Sequence, residues 1–348
     1  MNSTSTLATT FVQSIATIFV IIVGRRIDMF EKESWKKIVT CTAFGAPTFA
    51  LSTIAIQTLF HVYSVQAENY TLGRTICLLL LAGIIQIFFM LLALSLYYTL
   101  DRKEFDTLSD YILYSISISA GYLISSFVFQ YSLTEISILP FRQAALDTFY
   151  VGPAFMDSSV PFLSAGIGLF LFLVLNQKSI NSPSTKKIAI TVLCITIFFQ
   201  ALFLVAGLLL TISNEHMPSK ALLLGDVIAE CITITSVLFI VISISVGAVV
   251  DFYLISKFVK NVSQHLEFVN PDRRDEIVKY LSSPASYSSL IRIILEQPKP
   301  IYSDARLSTS LKNRIAKLAL ISWKQSSLTN TCINEASQAI KELESGRD

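Results

Sequence analysis

Seven apolar stretches run through this chain, at about 8–24, 38–62, 75–98, 109–132, 158–176, 188–212 and 222–250, and none of its 27 Lys and Arg residues falls inside any of them. Hydrocarbon offers no water to backbone N–H and C=O groups, so a chain that enters it must close its hydrogen bonds internally, as helices do. At 1.5 Å rise per residue each stretch is long enough to cross about 30 Å of hydrocarbon. Composition agrees: 53% hydrophobic residues, 15% charged residues and a mean hydropathy of +0.60 stand far from soluble domains, in which about 25% of residues are charged. The expected fold class is all-α, a polytopic membrane helix bundle of about seven spans followed by a helical cytoplasmic tail.

Lys and Arg are retained on the cytoplasmic side of a membrane, so their distribution sets the orientation. Of the 27, 24 lie in the segments after spans one, three, five and seven, and only Arg74, Arg142 and Lys220 lie in the alternate ones. This predicts an exterior N-terminus and a cytoplasmic C-terminus. The segment before span one has no Lys or Arg, so it lacks the positive n-region of a cleaved signal peptide, and span one reads as a retained anchor.

Character changes near residue 250, which divides the chain into a bundle, 1–250, and a tail, 251–348, with 14 basic and 11 acidic residues. Helical periodicity in SLKNRIAKLALISWKQ and INEASQAIKELES predicts two tail helices. Asn270-Pro271, the SSPASYSS run and Gln297-Pro298-Lys299-Pro300 mark loops. Lys312, Arg314 and Lys317 beside Leu311, Ile315, Leu318 and Ile321 fit either a helix resting on an anionic membrane surface or one held beneath the bundle with solvated charges. Between spans four and five, residues 133–157, with Glu135, Arg142 and Asp147, are expected to lie at the interface or to re-enter the bilayer.

Little chemistry is available inside the spans. The cysteines at 41, 77, 194, 231 and 332 have no CxxC spacing and read as small residues between helices; His61, His216 and His265 are dispersed, so no metal site and no cofactor is expected. Asp226 and Glu230 in span seven are four residues apart and so share a helix face, the spacing of a shared cation, a proton site or a hydrogen-bonded pair. Gln86 in span three and Ser125-Ser126 in span four are neutral groups of the kind that join helices by hydrogen bonds. Membrane lipid and the transmembrane segments of other proteins are the expected partners; nothing points to nucleic acid.

The run RRIDMFEKESWKKIVTCTAFGAPTFALSTI after span one resembles a segment of PrsW-type intramembrane proteases, R-x-D-x-x-E-x-E-P-W followed by an apolar run with F-x-x-G. Arg26, Asp28, Glu31, Glu33 and Trp35 match; Ser34 stands where proline is usual, and Phe44 and Gly45 are adjacent. Where the family carries A-P-x-x-E-E-x-x-K, this chain has Ala82-Gly83-Ile84-Ile85-Gln86-Ile87-Phe88-Phe89-Met90, so Gln86, Ile87 and Met90 replace two glutamates and a lysine. Where the family carries G-F-A-x-x-E-N, the chain has Gly121 through Phe127, with Ser126 and Phe127 in place of Glu and Asn. Arg142 and the SAGIG run around Gly166 and Gly168 are the counterparts of a last motif, without its histidine, and SLKNRIAKLALISWK with Trp323 resembles a stretch after the last span.

The resemblance implies the fold of a membrane protease without its catalytic set. Proteolysis inside a membrane needs a carboxylate or a metal-bound hydroxide to activate water, and Gln, Ile and Ser supply neither. The expected function is therefore a catalytically inactive relative that binds, regulates or assembles with other membrane proteins. Alternatives are an active protease that uses Asp110, Asp226 or Glu230, or a transporter or receptor. Against the receptor, Cys77 has no partner in the following exterior loop and span seven lacks N-P-x-x-Y; against the transporter, there is no inverted repeat. The sequons at Asn2 and Asn69 fall on the exterior side of this topology.

Overall fold

The apolar stretches become helices that reach a few residues beyond the expected limits. In this computed structural model residues 3–27, 34–64, 72–102, 105, 107–135, 152–176, 185–216, 218–265, 275, 277, 281, 305–324 and 330–345 are described. Helix α1 is Ser3–Ile27; α2 is Trp35–Ala43 and α3 Gly45–Ser64; α4 is Leu72–Leu100, α5 Leu108–Glu135, α6 Gly152–Leu175, α7 Thr185–His216 and α8 Pro218–Ser263; the tail holds α9, Ala305–Lys324, and α10, Asn330–Ser345. Among the described residues there is no strand. Four segments, Trp35–Leu59, Leu80–Leu100, Leu108–Phe129 and Thr185–Leu202, are long and apolar enough to cross a membrane, and shorter apolar segments lie at Phe11–Arg25, Leu163–Leu175 and Leu238–Gly247. The fold is that of a helical membrane protein. Most of the segment 133–157, Arg142 included, and all the tail loop signals lie outside the described residues.

The expected single helix over 38–62 is broken at Phe44, and the cause is Pro47. Proline has no N–H to offer the carbonyl of Ala43, and its ring crowds that carbonyl, so α2 ends there. The Phe44 N–H turns back to the Cys41 carbonyl at 3.1 Å, and α3 starts with Pro47 in its first turn, where the missing donor costs least. At the other end of α2, Ser34 is the N-cap, its Oγ accepting from the Lys37 N–H at 3.4 Å. Ser34 thus opens the helix.

Helix α5 occupies the centre and touches α1, α2, α3, α4, α6 and α8. Every residue from Thr107 to Leu123 is buried. Its sequence suits that place, because Ser115, Ser117, Ser119, Ala120 and Gly121 are small enough for neighbouring backbones to approach. The hydroxyls are satisfied on the spot: Ser117 donates to the Leu113 carbonyl and Ser119 to that of Ile116, and Ser115 donates across to the Ser164 carbonyl of α6. A side chain on Gly121 would collide with the Thr42 carbonyl, and one on Gly45 with the α5 backbone at Ile118 and Tyr122. Those two glycines hold the α2–α3 break against α5. Gly168 meets α5 at Tyr111 in the same way, and Gly166 meets Thr196 of α7.

Helix α8 runs without interruption through residue 250, the expected limit of the bundle. Its 46 residues extend about 69 Å at the α-helical rise, so it leaves the bundle and enters the tail as one rod. There Ile255, Phe258, Val259 and Val262 share a second core with Leu311 and Ile315 of α9 and Ala336 and Ile340 of α10. Helix α9 packs with its apolar stripe inward: Leu311, Ile315 and Leu318 are buried while Arg314, Lys317 and Ile321 face outward. Trp323 ties its end to the bundle, stacked on Phe172 of α6 with ring centroids 5.8 Å apart and planes at 7°.

Candidate functional site

The inner stripe of α4 recurs at helical spacing through Ala82, Gln86, Met90, Ala93 and Tyr97, each buried. Gln86 is fully buried, and its neighbours are amide and phenol groups rather than carbon. Its Nε2 donates to the Tyr122 hydroxyl of α5 at 3.2 Å, and its Oε1 accepts from Gln200 Nε2 of α7 at 2.7 Å. Tyr122 is held from the far side by Phe49 of α3, edge to face at 5.2 Å. Four helices therefore converge on one neutral cluster.

The cluster is incomplete at Gln200. This residue is 1% exposed, and its Oε1 has no hydrogen-bond partner. Reversing both amides would let Gln86 Nε2 donate to Gln200 Oε1 and Tyr122 donate to Gln86 Oε1, leaving the Gln200 NH2 unmatched instead. In either orientation one end of the Gln200 amide lacks a partner. Such a group costs about 1–3 kcal/mol, so this cluster is retained against a free-energy penalty.

Ile87 and Met90 belong to the main hydrophobic cluster of the bundle. Ser126 is buried one turn beyond Tyr122, and Phe127 lies against Phe11 of α1 with centroids 5.4 Å apart. Gly45 and Gly121 form the helix crossing described above. Trp35 takes the guanidinium of Arg25, 4.5 Å from its ring centroid; the adjacent Arg26 lies in the last turn of α1, its side chain outside the described set, as are Asp28, Glu31 and Glu33.

Asp110 caps α5: its Oδ2 accepts from the Thr107 N–H at 2.6 Å, while its own N–H donates to Thr107 Oγ1 at 3.2 Å. That is a reciprocal capping box, a structural use of a buried carboxylate. Asp226 and Glu230 stand one turn apart on α8, as their spacing requires, with side chains outside the described part of the structure. Of the cysteines, Cys41 and Cys332 are buried as expected of small interior residues, Cys41 with its Sγ 3.2 Å from the Tyr114 carbonyl; Cys77 and Cys194 are exposed, and the Cys231 side chain is outside the described set. Among the described residues no three His, Cys, Asp or Glu side chains come together as metal ligands.

Sequence reasoning singled out Gln86 and missed Gln200. The signal was present, since an amide in the middle of an apolar run is as unusual at 200 as at 86. These features define a class: an all-helical membrane protein in which, among the described residues, neutral side chains join helices by hydrogen bonds. A scan against family models and searches of curated proteins and of solved structures find no match to the chain.

Proposed function

We propose that this protein is a catalytically silent relative of PrsW-type intramembrane proteases, a seven-span bundle that holds transmembrane segments of other proteins without cutting them. The carrying observation is the cluster itself: at the position of the family's first glutamate, Gln86 is sealed between Gln200 and Tyr122. Neither an amide nor a phenol hydroxyl takes a proton from water at neutral pH. Three further observations support the reading. Ile87 and Met90 are ordinary core residues, Asp110 is committed to a helix cap, and the glycine crossing keeps the bundle compact without any charged group. Seven passes follow if the shorter apolar segments of α1, α6 and α8 cross beside the four long ones, and the basic residues then face the cytoplasm.

The test is incubation of the reconstituted protein with a single-span substrate, beside Asp226→Asn and Glu230→Gln variants, each with and without a chelator. The expected result is that the substrate is retained by the wild-type protein and recovered uncut in every lane. Cleavage by the wild type that disappears in Glu230→Gln or with chelator would overturn the proposal and place an active site on α8.

A further inference from the structure

Beneath the ring of Trp323 the bundle turns polar. Phe172, on which Trp323 stacks, is buried and lies edge to face with Tyr111 at 5.4 Å. One turn further along the chain Asn176 shares that face of the helix and is buried as well, its Nδ2 donating to the Tyr111 hydroxyl at 3.4 Å and to the Phe172 carbonyl at 3.0 Å. Helix α7 brings a third polar group to this level. It touches α6 and follows it after the short segment 176–184, so the two run antiparallel, and Gly166 of α6 faces Thr196 of α7. Counting outward from that contact sets Asn176 beside the start of α7. Thr185 stands there, three turns before Thr196 and pointing the same way, toward α6. It is 1% exposed, and its Oγ1 has no hydrogen-bond partner.

The closed arrangement is held and opposed by effects of similar size. A stacked aromatic pair contributes about as much as an unmatched buried hydroxyl costs, and water admitted at this place would supply Thr185 with its missing partner. Trp323 is also the part of the contact most free to leave. It is only half-buried, and α9 is fixed by other residues, since Leu311, Ile315 and Leu318 sit in the tail core. The last turn of α9 therefore lifts without emptying that core, and Phe172, edge to face with Tyr111, stays with the bundle.

We infer that Trp323 is a lid: seated on Phe172 it closes the end of the bundle nearest the tail over Tyr111, Asn176 and Thr185, and when the last turn of α9 lifts, water reaches them. The tail thereby sets when water enters that end of the bundle. The experiment measures, on the full-length protein in detergent, the rate at which Thr185→Cys is labelled by a charged, water-soluble maleimide, read at each cysteine by peptide mass spectrometry. Labelling is expected to be slow with Trp323 in place and about tenfold faster in Trp323→Ala, the effect of losing one aromatic stack. Trp323→Phe keeps a ring on Phe172 and is expected to stay close to the slow rate. Lys186→Cys, at an exposed position, is expected to label fast with or without Trp323 and gives the rate of an open site. Native Cys41 in the bundle core and Cys332 in the tail core are buried and are expected to stay unlabelled throughout, which separates lifting of the lid from unfolding of either core. Equal rates at position 185 with and without Trp323, whether fast or slow, would overturn the lid. Labelling of Cys41 or Cys332 that rises in step with position 185 in Trp323→Ala would overturn it too, since the ring would then hold a core together and not cover an entrance.

Discussion

The behaviour of Gln86 and Gln200 turns on what each leaves behind when removed. Gln86→Leu takes the acceptor from Gln200 and leaves its Nε2 unmatched beside the already unmatched Oε1, so it is expected to cost about 1–3 kcal/mol, the cost of one further unmatched group. Gln200→Leu strands only the Gln86 Oε1, and it also removes the existing unmatched end, so its cost is expected to be near zero. The double variant leaves carbon against carbon and should recover much of the Gln86→Leu loss, a coupling of about 1 kcal/mol or more between residues in contact. Thermal unfolding of the four proteins in one detergent checks this. Additive losses would mean that the two amides do not share the bond at 2.7 Å. Asp110→Ala is a separate case, because it removes an acceptor from the α5 cap and is expected to cost about 1 kcal/mol. Binding of a transmembrane segment should be unchanged in it.

At the scale of helices, what decides a glycine's worth is whether the atom it makes room for can move. A Cβ on Gly121 would strike the backbone carbonyl of Thr42, fixed by the α2–α3 break, whereas a Cβ on Gly24 would come within 2.9 Å only of Ile244 Cδ1, the tip of a flexible side chain. Gly121→Ala is therefore expected to destabilise by about 3 kcal/mol or more and Gly24→Ala by about 1 kcal/mol or less, read as shifts in melting temperature. The contrast also shows which parts of the fold were legible beforehand. That each apolar run would be helical was, because such a run must close its backbone hydrogen bonds internally; its limits were not, since α8 continues to Ser263, past the expected end at residue 250. The break at Phe44 was less so, since the apolar run hid Pro47 even though the proline itself stood in plain view. The central place of α5 is not legible from its own spacing, although its Ser-x-Ser-x-Ser-Ala-Gly run is small enough for neighbouring helices to approach on several sides. Which helices meet is set by such contacts between distant residues, and spacing along one helix holds no record of the partner's.

Taken whole, the molecule has two cores on one rod. The bundle core closes around α5, the tail core closes around residues 255–262 of α8, and the rod between them is continuous helix. A domain limit at residue 250 therefore separates two cores but not two elements. The one described ring contact between the cores that does not run through α8 is Trp323 on Phe172, and Phe172 in turn lies edge to face with Tyr111 of α5 at 5.4 Å. Trp323→Ala removes the stack and leaves both cores filled, so global stability should fall only by about 0.5–1.5 kcal/mol, the worth of an aromatic pair beyond its buried area. Phe258→Ala empties the tail core from within, where loss of a buried Phe costs about 3–5 kcal/mol. Hydrogen exchange separates the two effects. In Trp323→Ala, protection is expected to drop in the last turns of α9 and to persist in α10 and in residues 255–262; in Phe258→Ala it is expected to drop across α9, α10 and the end of α8 together, while α4 and α5 keep theirs. If Trp323→Ala instead lowered protection in α5, the stack would couple the tail to the centre of the bundle, and the two cores would unfold as one unit rather than as neighbours on a shared helix.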